Sequence, residues 1–348
     1  MGSVKDWKIP DRESVARRPR RAQAPGWIPT IIRGAILADM LPLAIWFVNA
    51  IDSPVRPVNL GARLHLDMKI SVITPTFNRA QTLRASMESV LAQTLPPFEH
   101  IIADNLSQDG TAEVVEAYAK RAQYKVVYVR EADTGVANAM NKGLARVRGE
   151  AVYILNDDDA IHDEQVFQLM SQCMTEMKTD LVYGDVDWLD PETGERTRRR
   201  HSQVNKLTLI HKGMNQPAIL HRASVFQQCG SYDEGFRIAG DHEWLLRAFI
   251  KFDVSATYLC RPVAVCALGG LSNSDSTASR RSQERKAATE RWYSPEQVRL
   301  SKTYRKFIRK LPFGTQLLDL FHPLRLRIRA VRYNGRRFVP DLAARLGF

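Results

Sequence analysis

Short runs of apolar residues alternate with longer helical stretches along the middle of the chain, beginning near Lys69. The apolar runs have the length and the Ile and Val content of buried strands, and they are KISVIT (69–74), HIIA (100–103), KVVYV (125–129) and AVYIL (151–155). The helical stretches between them cover 81–93, 111–122 and 135–147. This alternation predicts βαβ units and a largely parallel sheet flanked by helices.

Polar or acidic residues follow each predicted strand. These turns are PTFNR (75–79), DNLSQDGT (104–111), EADTG (131–135) and NDDD (156–159). Asp and Asn are common turn residues, so no single turn is decisive. Ligands of such sheets bind where the carboxyl ends of the strands open onto loops. The coincidence of four polar turns at one edge therefore predicts a ligand site there.

Seven segments carry a further signal through their order and spacing, and they are ISVITPTFNR (70–79), DNLSQDGT (104–111), EADTGVANAMNKGLARVRGE (131–150), YILNDDD (153–159), MNQPAILHRASVFQQCGSYDE (214–234), AGDHEWLLR (239–247) and LGGLS (268–272). In this order they resemble the motifs of glycosyltransferase family 2, whose members are inverting enzymes with the GT-A fold. The resemblance implies an α/β GT-A domain at 68–295, with a mostly parallel central sheet and flanking helices. Residues 1–67 and 296–348 lie outside it, and we expect helical N- and C-terminal extensions there.

The acidic turn Asp157–Asp159 matches the DxD-type motif of that family. Adjacent carboxylates at a strand end repel one another unless a cation lies among them. A Mg²⁺ or Mn²⁺ ion held by one or two carboxylates and by diphosphate oxygens meets this need. We predict Asp159 as a metal ligand and Asp158 as a ligand of the metal or of the donor's ribose. The alternative is a cap for the helix predicted near Asp163, although a cap needs only one such residue.

The resemblance also implies a set of donor-binding residues, and these are Pro75, Thr76, Asn78, Asp104, Asn141, Lys142, Asp157 and Asp158. Asp104 matches the residue that accepts a hydrogen bond from the base, typically uracil. Relatives often have an Arg where this chain has Met140. We expect Lys142 to contact the diphosphate in its place, and a lysine on the solvated face of the helix is the alternative.

Asp241, in the segment AGDHEWLLR, matches the catalytic base of the family. An inverting transferase needs a carboxylate opposite the leaving diphosphate, where it accepts the proton of the attacking hydroxyl. Capping of the following helix is the alternative role for Asp241, and Glu243 is the next candidate base. The resemblance further implies acceptor contacts from Gln216, Trp244 and Gly270, with a buried core position as an equal alternative for Trp244.

These matches predict an enzyme that moves a hexose-type residue, with inversion, from a nucleotide-sugar to a glycan or a lipid-linked glycan. We expect the donor to be a UDP-sugar. One alternative is a nucleotidyltransferase, which ordinarily has a Gly-rich, basic loop after its first strand, and PTFNR is not such a loop. The other is a sugar-nucleotide-binding protein without activity. Loss of Asp241 or of the acidic turn is expected in such a protein, whereas both are present.

The net charge of +12 is unevenly distributed along the 348 residues. Residues 1–67 and 296–348 carry net charges of +4 and +10, whereas residues 68–295 carry −2. A nucleic-acid enzyme more often has its basic stripe on the folded domain, so we expect no nucleic-acid partner. Two charged residues and two prolines interrupt the apolar stretch 27–51, which disfavours a spanning helix. The chain start lacks a signal-peptide pattern, and we expect a cytoplasmic protein at the inner face of the membrane.

The basic ends predict salt-sensitive binding to an anionic membrane surface. Each Lys or Arg held near such a surface contributes on the order of 1 kcal/mol, and screening shortens the reach of this attraction from roughly 10 Å at 0.1 M salt to 3 Å at 1 M. In a flotation assay we expect the protein to bind anionic vesicles at low salt and to leave them at high salt. Equal binding to anionic and neutral vesicles would instead assign the contact to the apolar stretch 27–51. No binding to either would contradict the prediction.

Overall fold

The computed structural model describes residues 68–310, with gaps at 202, 203, 205, 207, 212 and 271–274. Within that range the chain forms strands and helices around one sheet. The strands are β1 (Ile70–Thr76), β2 (Glu99–Asp104), β3 (Lys125–Arg130), β4 (Ala151–Ile154), β5 (Asp159–Ile161), β6 (Leu181–Leu189), β7 (Arg196–Arg199), β8 (Ile219–Arg222) and β9 (Ala256–Ala267). The helices are α1 (Ala80–Leu91), α2 (Thr111–Arg121), α3 (Val136–Leu144), α4 (Val166–Met177), α5 (Ala223–Cys229), α6 (Gly240–Ile250), α7 (Ala278–Trp292) and α8 (Pro295–Lys310).

The first four strands form a parallel half-sheet in the order β3-β2-β1-β4. Every residue of β1 is buried, as expected for a central parallel strand covered on both faces. Thr76 lies opposite Asp104, and Asp104 lies opposite Arg130, so β1, β2 and β3 end level with one another. The predicted βαβ units are confirmed, and the polar turns open on one edge.

The second half of the sheet is mixed. β8 runs antiparallel to both β4 and β6, β6 and β9 are parallel, and β7 extends β6 as an antiparallel strand. The short strand β5 pairs antiparallel with β9, so that Asp159 lies opposite Cys266. This pairing fixes the end of the acidic turn against the strand that leads into the Gly269-Gly270 turn. The sheet is therefore parallel in one half and mixed in the other.

Helix α3 lies unusually close to the sheet because Gly143 faces β1. A Cβ atom at Gly143 would lie 2.5 Å from Cγ2 of Ile73, which no real side chain tolerates. Ile73 is fully buried, so it has no space to retreat. The glycine thus permits the approach that brings the start of α3 beside the edge where β1 ends.

The two predicted extensions lie largely outside the described residues. Nothing of 1–67 is described, and of 296–348 only the part up to residue 310 is, where α8 begins at Pro295. Among the described helices, none combines the length and the apolar character that a bilayer crossing requires. The apolar stretch 27–51 lies outside the described residues, so this statement does not extend to it.

Candidate active site

A pocket of about 650 Å³ opens at the edge where the parallel strands end. That volume lies within the range of small-molecule sites, about 300–1,000 Å³. Eight of the residues predicted from the sequence line this one cavity, and they are Pro75, Thr76, Asp157, Asp158, Asp159, Gln216, Asp241 and Gly270. They come from positions up to 195 residues apart in the chain, as counted from Pro75 to Gly270. The fold therefore brings the acidic turn and the predicted base to the same cavity.

The acidic turn is tied to the end of β1. The Thr76 hydroxyl donates to Oδ2 of Asp157 at 2.8 Å, and Nη1 of Arg79 lies 2.7 Å from Oδ2 of Asp158. Burial, reinforced by the charge of Asp158, raises the pKa of Asp157 to about 6 and that of Asp159 to about 7. One guanidinium thus accompanies three carboxylates and contacts only Asp157 and Asp158, so the turn favours a further positive charge.

The carboxylates of this turn fit a divalent cation that also has ligands from a substrate. Asp159 accepts hydrogen bonds from the Asn156 side chain at 2.8 Å and from the Ala267 amide at 3.2 Å, which orient its carboxylate. Asp158 lines the cavity next to it. Among residues 68–310 as far as they are described, no group of three or more acidic, His or Cys side chains forms a complete metal cage. Mg²⁺ commonly binds through one or two carboxylates together with substrate phosphates, and the turn suits that arrangement.

Gly270 allows the loop that follows β9 to approach the acidic turn. A Cβ atom at this position would lie 2.7 Å from Oδ2 of Asp158. Gln216 is a second predicted acceptor residue on the cavity wall, 6% exposed. Its Oε1 accepts a hydrogen bond from the Tyr232 hydroxyl at 3.3 Å, whereas its Nε2 has no partner among the described residues. An unpaired buried N–H donor facing a cavity is suited to a hydroxyl of a bound sugar.

Asp241 lies in the first turn of α6, and helix α7 holds that turn in place. The carboxylate of Glu284, on α7, accepts hydrogen bonds from three consecutive amides just before Asp241, at 3.2, 2.8 and 2.9 Å; these belong to Arg237, Ile238 and Ala239. Burial raises the pKa of Asp241, and the nearby Arg285 and Arg199 oppose that rise. Asp241 is not the N-cap residue, which is Ala239. Oδ1 of Asp241 accepts a hydrogen bond from the His242 amide at 2.7 Å, and the residue lines the cavity.

Two neighbours of Asp241 on α6 belong to the core and do not line the cavity. Trp244 is 1% exposed, donates its indole N–H to the Gly230 carbonyl at 2.9 Å and packs against Phe226. Neither face of the ring is open to a sugar, so this geometry favours the alternative of a core position for Trp244 and does not support an acceptor contact. Glu243 pairs with Arg247 at 3.0 Å and accepts the indole N–H of Trp292, which removes it as the next candidate base.

Two of the predicted donor residues position loops and do not contact the cavity. Asp104 is 1% exposed and accepts hydrogen bonds from the Ser107 amide and the Tyr128 hydroxyl, at 3.0 and 2.6 Å. Asn78, with a left-handed φ of 51°, accepts from the Gln108 amide at 2.9 Å. Neither side chain lines the cavity, so a direct donor contact by either residue is not supported by this geometry. Asn105, which follows Asp104, does line the cavity.

The other two predicted donor residues outside the cavity are on α3. Asn141 donates to the Tyr232 carbonyl and accepts from the Tyr232 amide, both at 2.9 Å, so it clamps the turn before α6. Lys142 donates to the Ala132 carbonyl and lies 3.7 Å from Glu131. Lys142 does not line the cavity, so its predicted diphosphate contact is not supported by this geometry.

The cavity also contains charged and polar residues that sequence reasoning did not identify, and these include Arg79, Asn105, Asp133, Arg199, His211, Arg281 and Arg285. Arg79 could have been identified from the sequence, because it is the last residue of the polar turn PTFNR. Arg281 and Arg285 are four residues apart and therefore lie on one face of α7. That spacing is the sequence feature from which the pair could have been identified. Nothing in the sequence places Arg199, on the edge strand β7, at the site.

Comparisons with known proteins agree with this architecture. Residues 71–236 match the model of glycosyl transferase family 2, the family that the seven motifs resemble. A glycosyltransferase of PGL/p-HBAD biosynthesis from Mycobacterium bovis is 29% identical over 205 residues, covering 58% of this chain and 78% of the relative. The glycosyltransferase AglE of Haloferax volcanii is 26% identical over 185 residues, covering 51% of this chain and 60% of the relative.

Two solved structures share the fold. The mannosyltransferase PcManGT of Pyrobaculum calidifontis, in complex with GDP-Man and Mn²⁺, aligns with a TM-score of 0.54 and 16% identity over 90% of this chain and 88% of its own. TarS of S. aureus, in complex with UDP-GlcNAc, aligns with a TM-score of 0.51 and 19% identity over 74% of this chain and 72% of its own. The GT-A fold predicted from the motifs is thereby confirmed.

Proposed function

We propose that this protein transfers a hexose-type residue, with inversion, from a UDP-sugar to a hydroxyl group of a glycan or lipid-linked glycan. The observation that carries the proposal is the placement of Asp241 and the acidic turn Asp157–Asp159 in the walls of one cavity. Such a reaction needs a base at the acceptor hydroxyl, which Asp241 would supply, and a cation at the leaving diphosphate, which the acidic turn would bind. Relatives named as glycosyltransferases, and solved structures of this fold with nucleotide-sugars, agree with the same reaction class.

Asp241 is the proposed general base. As the acceptor oxygen attacks the anomeric carbon, its proton passes to the Asp241 carboxylate. The new bond forms on the face opposite the departing oxygen, and the electron pair of the broken bond leaves with the nucleoside diphosphate. Burial that raises the pKa of Asp241 makes the carboxylate a better proton acceptor than one in water.

The acidic turn is the proposed site for the leaving group's cation. Asp159 and Asp158 would hold Mg²⁺ or Mn²⁺, and the charge of that ion offsets the charge of the diphosphate. Thr76 and Arg79 hold the neighbouring carboxylates in place, through contacts of 2.8 Å to Asp157 and 2.7 Å to Asp158. Pro75 and Thr76, on the same wall, are proposed to line the nucleotide portion of the cavity.

The metal assignment predicts that Asp159→Ala lowers UDP-sugar turnover by about 10²-fold or more, in the range that a lost electrostatic contact to the developing charge costs. Nucleotide release in the presence of Mn²⁺ measures this, with circular dichroism as the check on folding. Glu192→Ala is the control, because Glu192 is an exposed carboxylate in the turn between β6 and β7 and is not part of the cavity. Full activity of Asp159→Ala in the presence of a chelator would contradict the assignment.

The base assignment predicts a different pattern for Asp241→Asn. The amide keeps the shape of the side chain but accepts no proton, so transfer to the acceptor should fall by about 10²–10⁴-fold. Calorimetric titration with UDP and Mn²⁺ should give the wild-type affinity, because the acidic turn is unchanged. Glu192→Gln, at an exposed carboxylate outside the cavity, is the control for replacing a carboxylate by an amide. Near wild-type transfer by Asp241→Asn would place the base elsewhere on the cavity wall.

A further inference from the structure

The candidate cavity has an uneven distribution of charge. Around the acidic turn, three carboxylates are accompanied by one guanidinium, that of Arg79. Around Asp241 the balance is reversed, because three arginines line the wall there, namely Arg199, Arg281 and Arg285. We call these three residues the arginine cluster. Such an arrangement accepts a cation at one side and an anion at the other.

Gly213 allows two members of the arginine cluster to converge. Nη2 of Arg199 donates to the Gly213 carbonyl at 3.1 Å. The guanidinium of Arg285 packs against the same residue, where a Cβ atom would lie 3.0 Å from Nη1. Gly213 is buried and lines the cavity with them. Two cations are therefore held next to one backbone position, on the same wall as Asp241.

Asp241 alone does not neutralise both Arg199 and Arg285. It is the carboxylate whose charge acts on both Arg199 and Arg285, whereas the neighbouring arginines repel Arg285. Burial lowers the pKa of both guanidinium groups. Partly buried charges are stable when they are paired, and a guanidinium offers a fork of N–H donors that matches the oxygens of a phosphate or a carboxylate. An anionic ligand group satisfies this excess of positive charge.

The position of the cluster identifies which substrate brings the anion. If Asp241 is the base of an inverting transfer, it lies opposite the leaving diphosphate, so the arginines beside it face the acceptor. Resting on the proposed function, we propose that the acceptor carries a phosphate or carboxylate group near the attacked hydroxyl and that Arg285 and Arg281 bind it. Arg199, on β7, lines the same cavity and donates to the Gly213 carbonyl.

Positive charge continues from the arginine cluster to the following helix. His211 lines the cavity, and its pKa is lowered by burial and then by the nearby charges of Arg305, Lys302 and Arg285. Lys302 and Arg305 are exposed residues of α8. An acceptor with further anionic groups beyond its first would meet the same sign of charge outside the cavity. This continuity favours the acceptor over a single small counter-ion as the source of the anion.

The test compares anionic and neutral sugars as probes of the acceptor side. Wild-type protein with Mn²⁺ and UDP is titrated calorimetrically with glucose 6-phosphate, with glucuronate and with glucose. We expect at least one anionic probe to bind more tightly than glucose, and Arg285→Gln to weaken that binding by about tenfold or more, as the loss of charge-assisted hydrogen bonds does. Arg281→Gln, one helical turn away, should also weaken binding of the anionic probe. It replaces Arg285→Gln in the test if that variant does not fold. Arg84→Gln, on the exposed face of α1, is the matched control.

The titration with UDP alone separates this inference from the proposed function. Unchanged UDP affinity in Arg285→Gln, with weakened binding of the anionic probe, supports an anion subsite for the acceptor. An equal loss of UDP affinity would assign the cluster to the donor diphosphate and overturn the inference while leaving the transferase proposal in place. Equal affinity of wild-type protein for all three probes would also overturn it. Failure of the wild-type protein to bind UDP would instead contradict the proposed function.

Discussion

The need to neutralise carboxylates in a partly closed cavity governs the organisation of this protein. Burial raises the pKa of Asp157 to about 6 and of Asp159 to about 7, so these groups resist ionisation unless positive charge is close. Arg79 supplies part of that charge to Asp157 and Asp158, and a divalent cation with diphosphate oxygens suits the remainder. The loops, the short strand β5 and the end of β9 are arranged so that this turn faces the cavity.

The two halves of the sheet contribute different parts of the site. The parallel half ends level at Thr76 and Asp104 and delivers the turns that surround the acidic residues. The mixed half, with α6 and α7, delivers Asp241 and the arginine cluster. Glu284 holds the amides before Asp241, so α7 both orients the proposed base and contributes arginines to the wall beside it. The proposed donor and acceptor sides of the cavity are thereby built by separate parts of one fold.

The first four strands and the acidic turn were predictable from the sequence because their signals are local. Runs of Ile and Val mark fully buried parallel strands, and carboxylates adjacent in sequence remain adjacent in space. The predicted contacts that the geometry does not support concern side chains whose direction is set by packing. Lys142 turns to the Ala132 carbonyl, and Trp244 is enclosed by Phe226 and its neighbours. A motif defines the position of such a residue on its helix, whereas its direction relative to the cavity depends on packing. Arg199 was missed for the same reason, because an edge strand carries no signal of what it faces.

The central claim is that the protein binds a nucleotide-sugar in this cavity and that a divalent cation assists cleavage of the bond between the sugar and the diphosphate. The most direct test is a screen of UDP-, GDP- and other nucleotide-sugars for nucleotide release, first with Mn²⁺ and then with a chelator, in the presence of a mixed pool of glycan and lipid-linked acceptors. The account predicts that a UDP-sugar is turned over and that the chelator abolishes the release of UDP. Turnover that is unaffected by the chelator, or the formation of pyrophosphate from UTP and a sugar phosphate in place of nucleotide release, would contradict it.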